Sequence, residues 1–180
     1  GLGELAGAVE RVDDPDPVGV VPRRAVPAGA PRQIIGVWHP ALLEPLGHTL
    51  AELGTKRAWV VHGSDGLDEV TLNGKTLVAE TVKGSVRRFE ITPEDFGLRA
   101  ASLENVRDND AENSATIIRS IFSGERRDEA RDLVVINAAS ALVVGGAAQD
   151  FRAAAQVAEQ SIDSGAAQSK LDQLVKNTNK

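Results

Sequence analysis

Two short apolar runs flank a segment with helical periodicity in the first half of the chain. Residues 33–38 (QIIGVW) and 57–63 (RAWVVHG) are typical of buried strands. Between them, four leucines recur at helical spacing over residues 43–53, Pro40 suits a first helical turn, and Gly54 follows the last leucine. A strand, a helix and a second strand favour parallel pairing, because parallel strands need a crossover connection.

The middle of the chain has a different pattern. Residues 69–72, 77–82 and 86–91 alternate between apolar and polar positions. They are separated by Asn-Gly at residues 73–74 and Lys-Gly at residues 83–84. Such dipeptides favour tight turns between antiparallel strands. This part therefore predicts an antiparallel hairpin or meander.

The last third of the chain predicts helices. Residues 117–122 form one apolar stripe, residues 128–144 form a nearly all-apolar helix expected at the centre of the domain, and residues 151–162 form a third stripe. Leucines and a valine over residues 171–175 mark a terminal helix. The predicted fold is α/β, with a mainly parallel sheet, an antiparallel hairpin or meander addition and a helical C-terminal half.

A boundary is expected near residue 31. Residues 1–12 suit a short helix, and prolines recur from residue 15 to residue 31. We therefore expect an N-terminal helix and proline-rich linker over residues 1–31, followed by an α/β domain over residues 32–180. The chain has no methionine and begins at Gly1, so either its natural start has been removed or it is a fragment.

Composition and charge exclude several classes of protein. The formal net charge is −6 and no cluster of Lys or Arg is larger than an isolated arginine pair, so no basic stripe for nucleic acid is expected. Without cysteine, disulfides and thiolate metal sites are excluded. The apolar run over residues 133–148 is too short to span a bilayer, and no signal peptide is visible. We expect a cytoplasmic protein with no membrane or nucleic-acid partner.

Three carboxylates follow the second predicted strand directly, at Asp65, Asp68 and Glu69. Ligand sites in α/β sheets lie beyond the carboxyl ends of the strands. Carboxylates are ionised at neutral pH, and their hard oxygens suit Mg²⁺, which keeps several waters and shares itself with substrate phosphates. An ordinary solvated acidic turn has the same pattern, so these residues alone leave both interpretations open.

The surrounding motif resembles a known family. Residues 62–69 (HGSDGLDE) are similar to the "HGxDGLDE" segment of anthranilate phosphoribosyltransferases. The resemblance implies transfer of ribose 5-phosphate from phosphoribosyl pyrophosphate to anthranilate in tryptophan biosynthesis. It also implies that Asp68 and Glu69 bind the Mg²⁺ that accompanies the donor. Further segments match in the same order, from about residue 27 to residue 176: 27–37, 92–97, 110–113, 137–139 and 158–174.

The departures from the family concern the donor site. The family's Gly-Thr-Gly-Gly-Asp loop does not occur in this sequence. Its Asn-Ser-Thr segment, phosphate-contacting lysine and anthranilate-contacting arginine lie upstream of the matched part. Catalytic and substrate-binding residues are therefore unassigned, and weak or absent turnover is expected of this chain alone. The alternative is a catalytically incomplete half-enzyme, a binding or assembly module whose partner is a second copy or a complementing chain.

Three other polar residues have structural explanations as well as functional ones. His62 ends a strand, where such a residue commonly bonds a backbone carbonyl, although it is also placed to orient a carboxylate or contact a ligand. Asn137 lies in an apolar helix and is expected to be a hydrogen-bonded core residue. Asp110 precedes a predicted helix, where an acid favours the N-terminal turn.

Overall fold

One four-stranded sheet organises the part of the chain that the computed structural model describes, residues 30–104, 106 and 110–179. The strands lie in chain order, so each pairs with its sequence neighbour. Their bounds are β1 Arg32–Gly36, β2 Arg57–Gly63, β3 Thr76–Val82 and β4 Ser85–Ile91.

The pairing is mixed. β1 and β2 are parallel, whereas β2 with β3 and β3 with β4 are antiparallel. The turn between β3 and β4 has positive φ at both central residues, 50° at Lys83 and 80° at Gly84, as the favoured two-residue hairpin turns require. The parallel portion is smaller than the predicted mainly parallel sheet, because no helix crosses over between β2 and β3.

One predicted strand is wrong. Residues 69–72 are irregular, and β3 begins only at Thr76. Val70, Thr71 and Leu72 are all almost fully buried, so the apolar and polar alternation in this stretch does not mark two faces of a strand. The antiparallel hairpin over residues 76–91 is confirmed.

The helices predicted after residue 32 are confirmed. A short 3₁₀ turn, Pro40–Leu42, leads into α1, Leu43–Glu52. The helical C-terminal half contains α2 Ala111–Phe122, α3 Glu129–Gly145, α4 Phe151–Asp163 and α5 Ala166–Thr178. Asp110 N-caps α2 as predicted, because its carboxylate accepts from Asn113 N at 2.8 Å.

The sheet separates two apolar clusters. Ala58 and Val60 of β2 pack on the side of α1, whereas Trp59 and Val61 pack with α3 and α4 on the other side. This alternation follows from the twofold periodicity of a strand. The result is a three-layer α/β arrangement, in which both faces of β2 are buried.

The direction of α3 relates the two ends of the sheet. Arg57, at the start of β2, donates to the carbonyl of Val143 at 2.7 Å, and Arg32, at the start of β1, donates to that of Gly145. Nearer its N-terminus, Asn137 contacts the segment that follows β2. Cationic groups near the last carbonyls of a helix interact favourably with the negative end of the helix dipole. α3 therefore runs from the carboxyl edge of β1 and β2 to their amino edge.

The predicted N-terminal helix and linker over residues 1–31 lie almost entirely outside the described residues. Among the described helices, none has the length and apolar character needed to cross a membrane.

Candidate metal site at the carboxyl edge of the sheet

Asp68 and Glu69 lie where β1 and β2 end. The loop that carries them leaves β2 at Gly63 and passes over the end of β1. A methyl group built on Gly36 would overlap the carbonyl oxygen of Asp68, so the loop rests directly on the strand backbone. Both acidic residues are exposed to solvent. The location is the edge at which α/β sheets bind ligands.

Asp65, the third carboxylate of the motif, forms hydrogen bonds within its own loop. Its Oδ2 accepts from Thr71 Oγ1 at 2.9 Å, and its Oδ1 accepts from Leu67 N at 3.3 Å. An added Cβ at Gly63 would lie 2.6 Å from Asp65 Oδ1, so glycine is needed where the turn closes. Asp65 holds the loop together, and the candidate metal pair consists of Asp68 and Glu69.

The loop is also held from the helical side. Asn137 of α3 accepts from Val70 N through Oδ1 at 3.0 Å, and donates to Val70 O through Nδ2 at 2.9 Å. The predicted hydrogen bonding of Asn137 is confirmed. Its partner, Val70, directly follows Glu69 and is almost fully buried.

His62 serves the strand ends. Its Nδ1 lies 2.8 Å from the carbonyl oxygen of Val37, and the ring is buried. Because a carbonyl only accepts, Nδ1 carries the proton in this contact. The predicted backbone interaction is confirmed, and it fixes the end of β1 against the end of β2.

The electrostatics of the pair favour a cation. Glu69 is exposed at the surface, but the protein atoms around its carboxyl remove part of its hydration and raise its pKa above the usual range, and the negative charge of Asp68 adds to this effect. Two adjacent carboxylates repel one another, and a bound cation removes that repulsion. Relief of this repulsion makes cation binding more favourable at the pair than at a single surface carboxylate.

The donor set fits Mg²⁺ in part. Residues 30–104, 106 and 110–179 contain no group of three or more His, Asp or Glu side chains arranged to hold a metal ion. Mg²⁺ is commonly bound through one or two carboxylates, with water and substrate phosphate oxygens at the other positions. Asp68 and Glu69 match that limited protein contribution.

Glu80 of β3 shows how a structural carboxylate differs. Its Oε1 accepts from Trp59 Nε1 at 2.9 Å and from Arg57 Nε at 2.8 Å, and its Oε2 accepts from Arg87 Nε at 2.6 Å. Burial raises the pKa of Glu80, but the hydrogen bonds from Trp59, Arg57 and Arg87 outweigh it and the pKa is lowered. Its charge is neutralised within the fold.

Two features of this edge escaped the sequence analysis. Trp38, just beyond β1, is 74% exposed and makes an edge contact with His39 at 5.3 Å between ring centroids. Gly36 makes the close approach to Asp68. A glycine inside a strand pattern is a signal for such an approach, so Gly36 was recognisable in principle. Nothing local marks the exposure of Trp38.

The glycosyl transferase family, a/b domain, matches residues 25–168. This chain belongs to that family. The match contains the whole sheet, the candidate metal pair and α1 to α4.

Curated relatives of this chain include anthranilate phosphoribosyltransferases. The protein from Azorhizobium caulinodans is 49% identical over 152 residues, covering 84% of this chain and 44% of that protein. The one from Moorella thermoacetica is 49% identical over 149 residues, covering 83% of this chain and 44% of that protein. The chain therefore spans less than half the length of the curated relatives it matches.

Solved structures agree. Anthranilate phosphoribosyltransferase from Thermus thermophilus superposes with a TM-score of 0.75 at 33% identity, over 83% of this chain and 44% of that one. The Saccharomyces cerevisiae enzyme, in complex with phosphoribosyl pyrophosphate and Mg, superposes with a TM-score of 0.71 at 26% identity, over 78% of this chain and 41% of that one. The α/β fold with a helical C-terminal half is thereby confirmed.

Proposed function

We propose that this chain is the magnesium-binding part of an anthranilate phosphoribosyltransferase of cytoplasmic tryptophan biosynthesis. The observation that carries the proposal is the exposed Asp68–Glu69 pair, held at the carboxyl edge of the sheet by contacts on both sides. The reaction is proposed from the family and from the names of the relatives. Phosphoribosyl pyrophosphate and anthranilate are the proposed substrates, and Mg²⁺ is the proposed cofactor.

The reaction breaks the bond from ribose C1 to the diphosphate oxygen and forms a bond from C1 to the amine nitrogen of anthranilate. The diphosphate leaves with the bonding electron pair, and the amine loses a proton. Mg²⁺ would supply electrostatic stabilisation of the diphosphate and a fixed geometry for it. Asp68 and Glu69 would hold the ion at the end of the sheet.

The weak metal affinity expected of the pair is consistent with this role. Two carboxylates leave most of an octahedral shell unfilled, and phosphate oxygens of the donor are suited to complete it. Metal and diphosphate should therefore bind together.

Calorimetry of Mg²⁺ with and without phosphoribosyl pyrophosphate tests the proposal. We expect binding to the protein to tighten when the donor is present, and Asp68→Asn or Glu69→Gln to remove that gain. Glu52→Gln is a matched control, because Glu52 is an exposed carboxylate at the end of α1. The assignment fails if both site variants bind as the unmodified chain does.

A second candidate function is a binding or assembly module. An apolar cavity of about 440 Å³ opens between α2, α3, α4 and α5, with Val157 45% exposed beside it. A half-enzyme that completes its site with another chain would use such surfaces. Activity separates the two candidates, since the module binds a partner without turnover and the enzyme part supports turnover once complemented.

A further inference from the structure

The carboxamide of Asn137 hydrogen-bonds to both peptide groups of Val70, in the loop of residues 64–75 that carries Asp68 and Glu69 and is called the metal loop below. Its Oδ1 accepts from Val70 N at 3.0 Å, and its Nδ2 donates to Val70 O at 2.9 Å. The same Nδ2 donates to Leu133 O at 3.0 Å, one turn earlier in α3. The amide is thus oriented by its own helix before it meets the loop.

Val70 directly follows Glu69 in the chain, and Asn137 holds its backbone in place through these hydrogen bonds. Val70 is 1% exposed, so its peptide groups have little access to water and depend on Asn137 for their hydrogen bonds. A buried donor or acceptor without a partner costs about 1–3 kcal/mol, and the loop would relieve that cost by moving toward solvent. Such a movement displaces Glu69, which is covalently next to Val70.

Opposite this contact, the loop rests on the strand. Gly36 leaves no space between β1 and the carbonyl of Asp68. The two carboxylates therefore lie between a packed backbone contact on one side and a two-bond amide contact on the other. Asn137 and Val70 are 67 residues apart along the chain, and their hydrogen bonds attach the loop to α3. The helix therefore sets the position of the Asp68–Glu69 pair relative to the sheet.

We propose that Asn137 is a positioning residue for the cation held by Asp68 and Glu69. It touches neither ion nor substrate, and it acts by fixing the peptide groups of Val70. The inference rests on the proposed function, because it concerns the same metal pair. Residues that orient metal ligands typically change metal affinity by about 10- to 100-fold when they are replaced.

The test uses Mn²⁺, added in small amounts to the ¹⁵N-labelled 180-residue chain, and follows the paramagnetic broadening of amide signals. In the unmodified chain we expect broadening centred on residues 67–70, reversed by excess Mg²⁺. Asn137→Ala should weaken the apparent affinity about tenfold while signals from β3 and β4 keep their positions. That pattern separates altered ligand placement from general loss of structure.

Ser140→Ala is the matched control. Ser140 is a fully buried polar residue on the same helix, and its hydroxyl donates only to Ile136 O, at 2.8 Å. Its loss should change thermal stability without changing Mn²⁺ affinity. If Asn137→Ala does not give a dispersed spectrum, Asn137→Ser replaces it, since one short hydroxyl cannot reach both peptide groups of Val70.

The outcomes are distinct. Affinity within twofold of the unmodified chain in a folded Asn137 variant would overturn the positioning role and leave the metal site intact. Absence of localised broadening in the unmodified chain would remove the metal site itself, and with it this inference. Weaker binding in both the Asn137 and Ser140 variants would assign the effect to stability and would also overturn the proposal.

Discussion

Trp59 donates its indole N–H to Glu80 at 2.9 Å, and both side chains are almost completely buried at the centre of the sheet. The two residues are direct neighbours in the register of β2 and β3. Arg57 and Arg87 complete the neutralisation of Glu80, at 2.8 Å and 2.5 Å. A charged residue is tolerated in this core because every part of its carboxylate is bonded.

Glu80→Gln should destabilise the fold and change its acid response. We expect the free energy of unfolding at pH 7 to fall by about 2–3 kcal/mol. This is less than is usual for a broken buried ion pair, because the side chain of Arg87 is largely solvated. The folded-state pKa of Glu80 lies below its ordinary 4.5, so its stabilisation is complete above that pH and is lost as the pH falls through the folded value. Urea unfolding between pH 7 and pH 3 measures both effects.

The control for this prediction is Glu90→Gln. Glu90 pairs with Lys75 at 2.8 Å, but both side chains are about half exposed, so the pair should contribute less than about 1 kcal/mol. The difference between the unmodified chain and Glu80→Gln should shrink on acidification. A constant difference from pH 7 to pH 3 would contradict the charge-based explanation.

Gly36→Ala should disturb the metal loop without touching a carboxylate. The new methyl group would overlap the carbonyl of Asp68, so either the loop or the end of β1 must move. We expect a destabilisation of about 1–3 kcal/mol, together with shifted amide signals over residues 67–70.

Gly145→Ala provides the comparison for Gly36→Ala. A Cβ at Gly145 meets nothing within 4 Å, and this residue is the last of α3. Alanine should be neutral or stabilising there by up to about 1 kcal/mol. Equal effects of the two substitutions would contradict the close packing of Gly36 on Asp68.

Turnover should require a complementing chain. We expect the 180-residue chain with phosphoribosyl pyrophosphate and Mg²⁺ to leave the fluorescence of anthranilate unchanged, because its sequence has no Gly-Thr-Gly-Gly-Asp loop. Loss of several backbone donors to a diphosphate is more damaging than loss of one side chain. Addition of the N-terminal half of a relative should restore measurable consumption.

Asp68→Asn should abolish the restored activity, whereas Glu52→Gln should not. Robust turnover by the chain alone, sensitive to Asp68→Asn, would contradict the half-enzyme interpretation. It would place a donor site within this sequence, with residues 1–31 as the first segment to investigate.

Self-association should follow from the unpaired edge of β1. Among the described residues, β1 pairs only with β2, and its apolar sequence carries no charged residue between Arg32 and Gly36. Unpaired apolar edges promote pairing with another chain. Sedimentation velocity should show dimers or larger species at micromolar concentrations, and a clean monomer would instead support a self-sufficient domain.

β4 is the comparison within the same sheet. It carries Arg87, Arg88 and Glu90, and charged edge strands resist association. Gln33→Lys in β1 adds a charge to the unpaired edge without altering either apolar cluster, and should therefore reduce self-association. Ser85→Lys at the exposed start of β4 should change it little.

Much of the fold could be predicted from local patterns. β2, the β3–β4 hairpin and the helices of the C-terminal half follow from periodicity, turn dipeptides and capping residues, and the observed bounds agree closely. These signals act over a few residues, so they are legible without knowledge of the remainder of the chain. The family motif also identified the acidic pair, because it occupies eight consecutive residues.

The placement of the site was decided by tertiary structure. The sequence alone determined that Asp68 and Glu69 follow a strand. It did not determine that the carboxylate of Asp65 accepts a hydrogen bond from the hydroxyl of Thr71. The contact of Asn137 with Val70 and the packing of Gly36 on Asp68 join segments distant along the chain. Residues 69–72 form a loop instead of a strand, since hydrogen bonds with Asn137, Thr76 and the backbone N–H of Ala101 satisfy their backbone in place of a neighbouring strand.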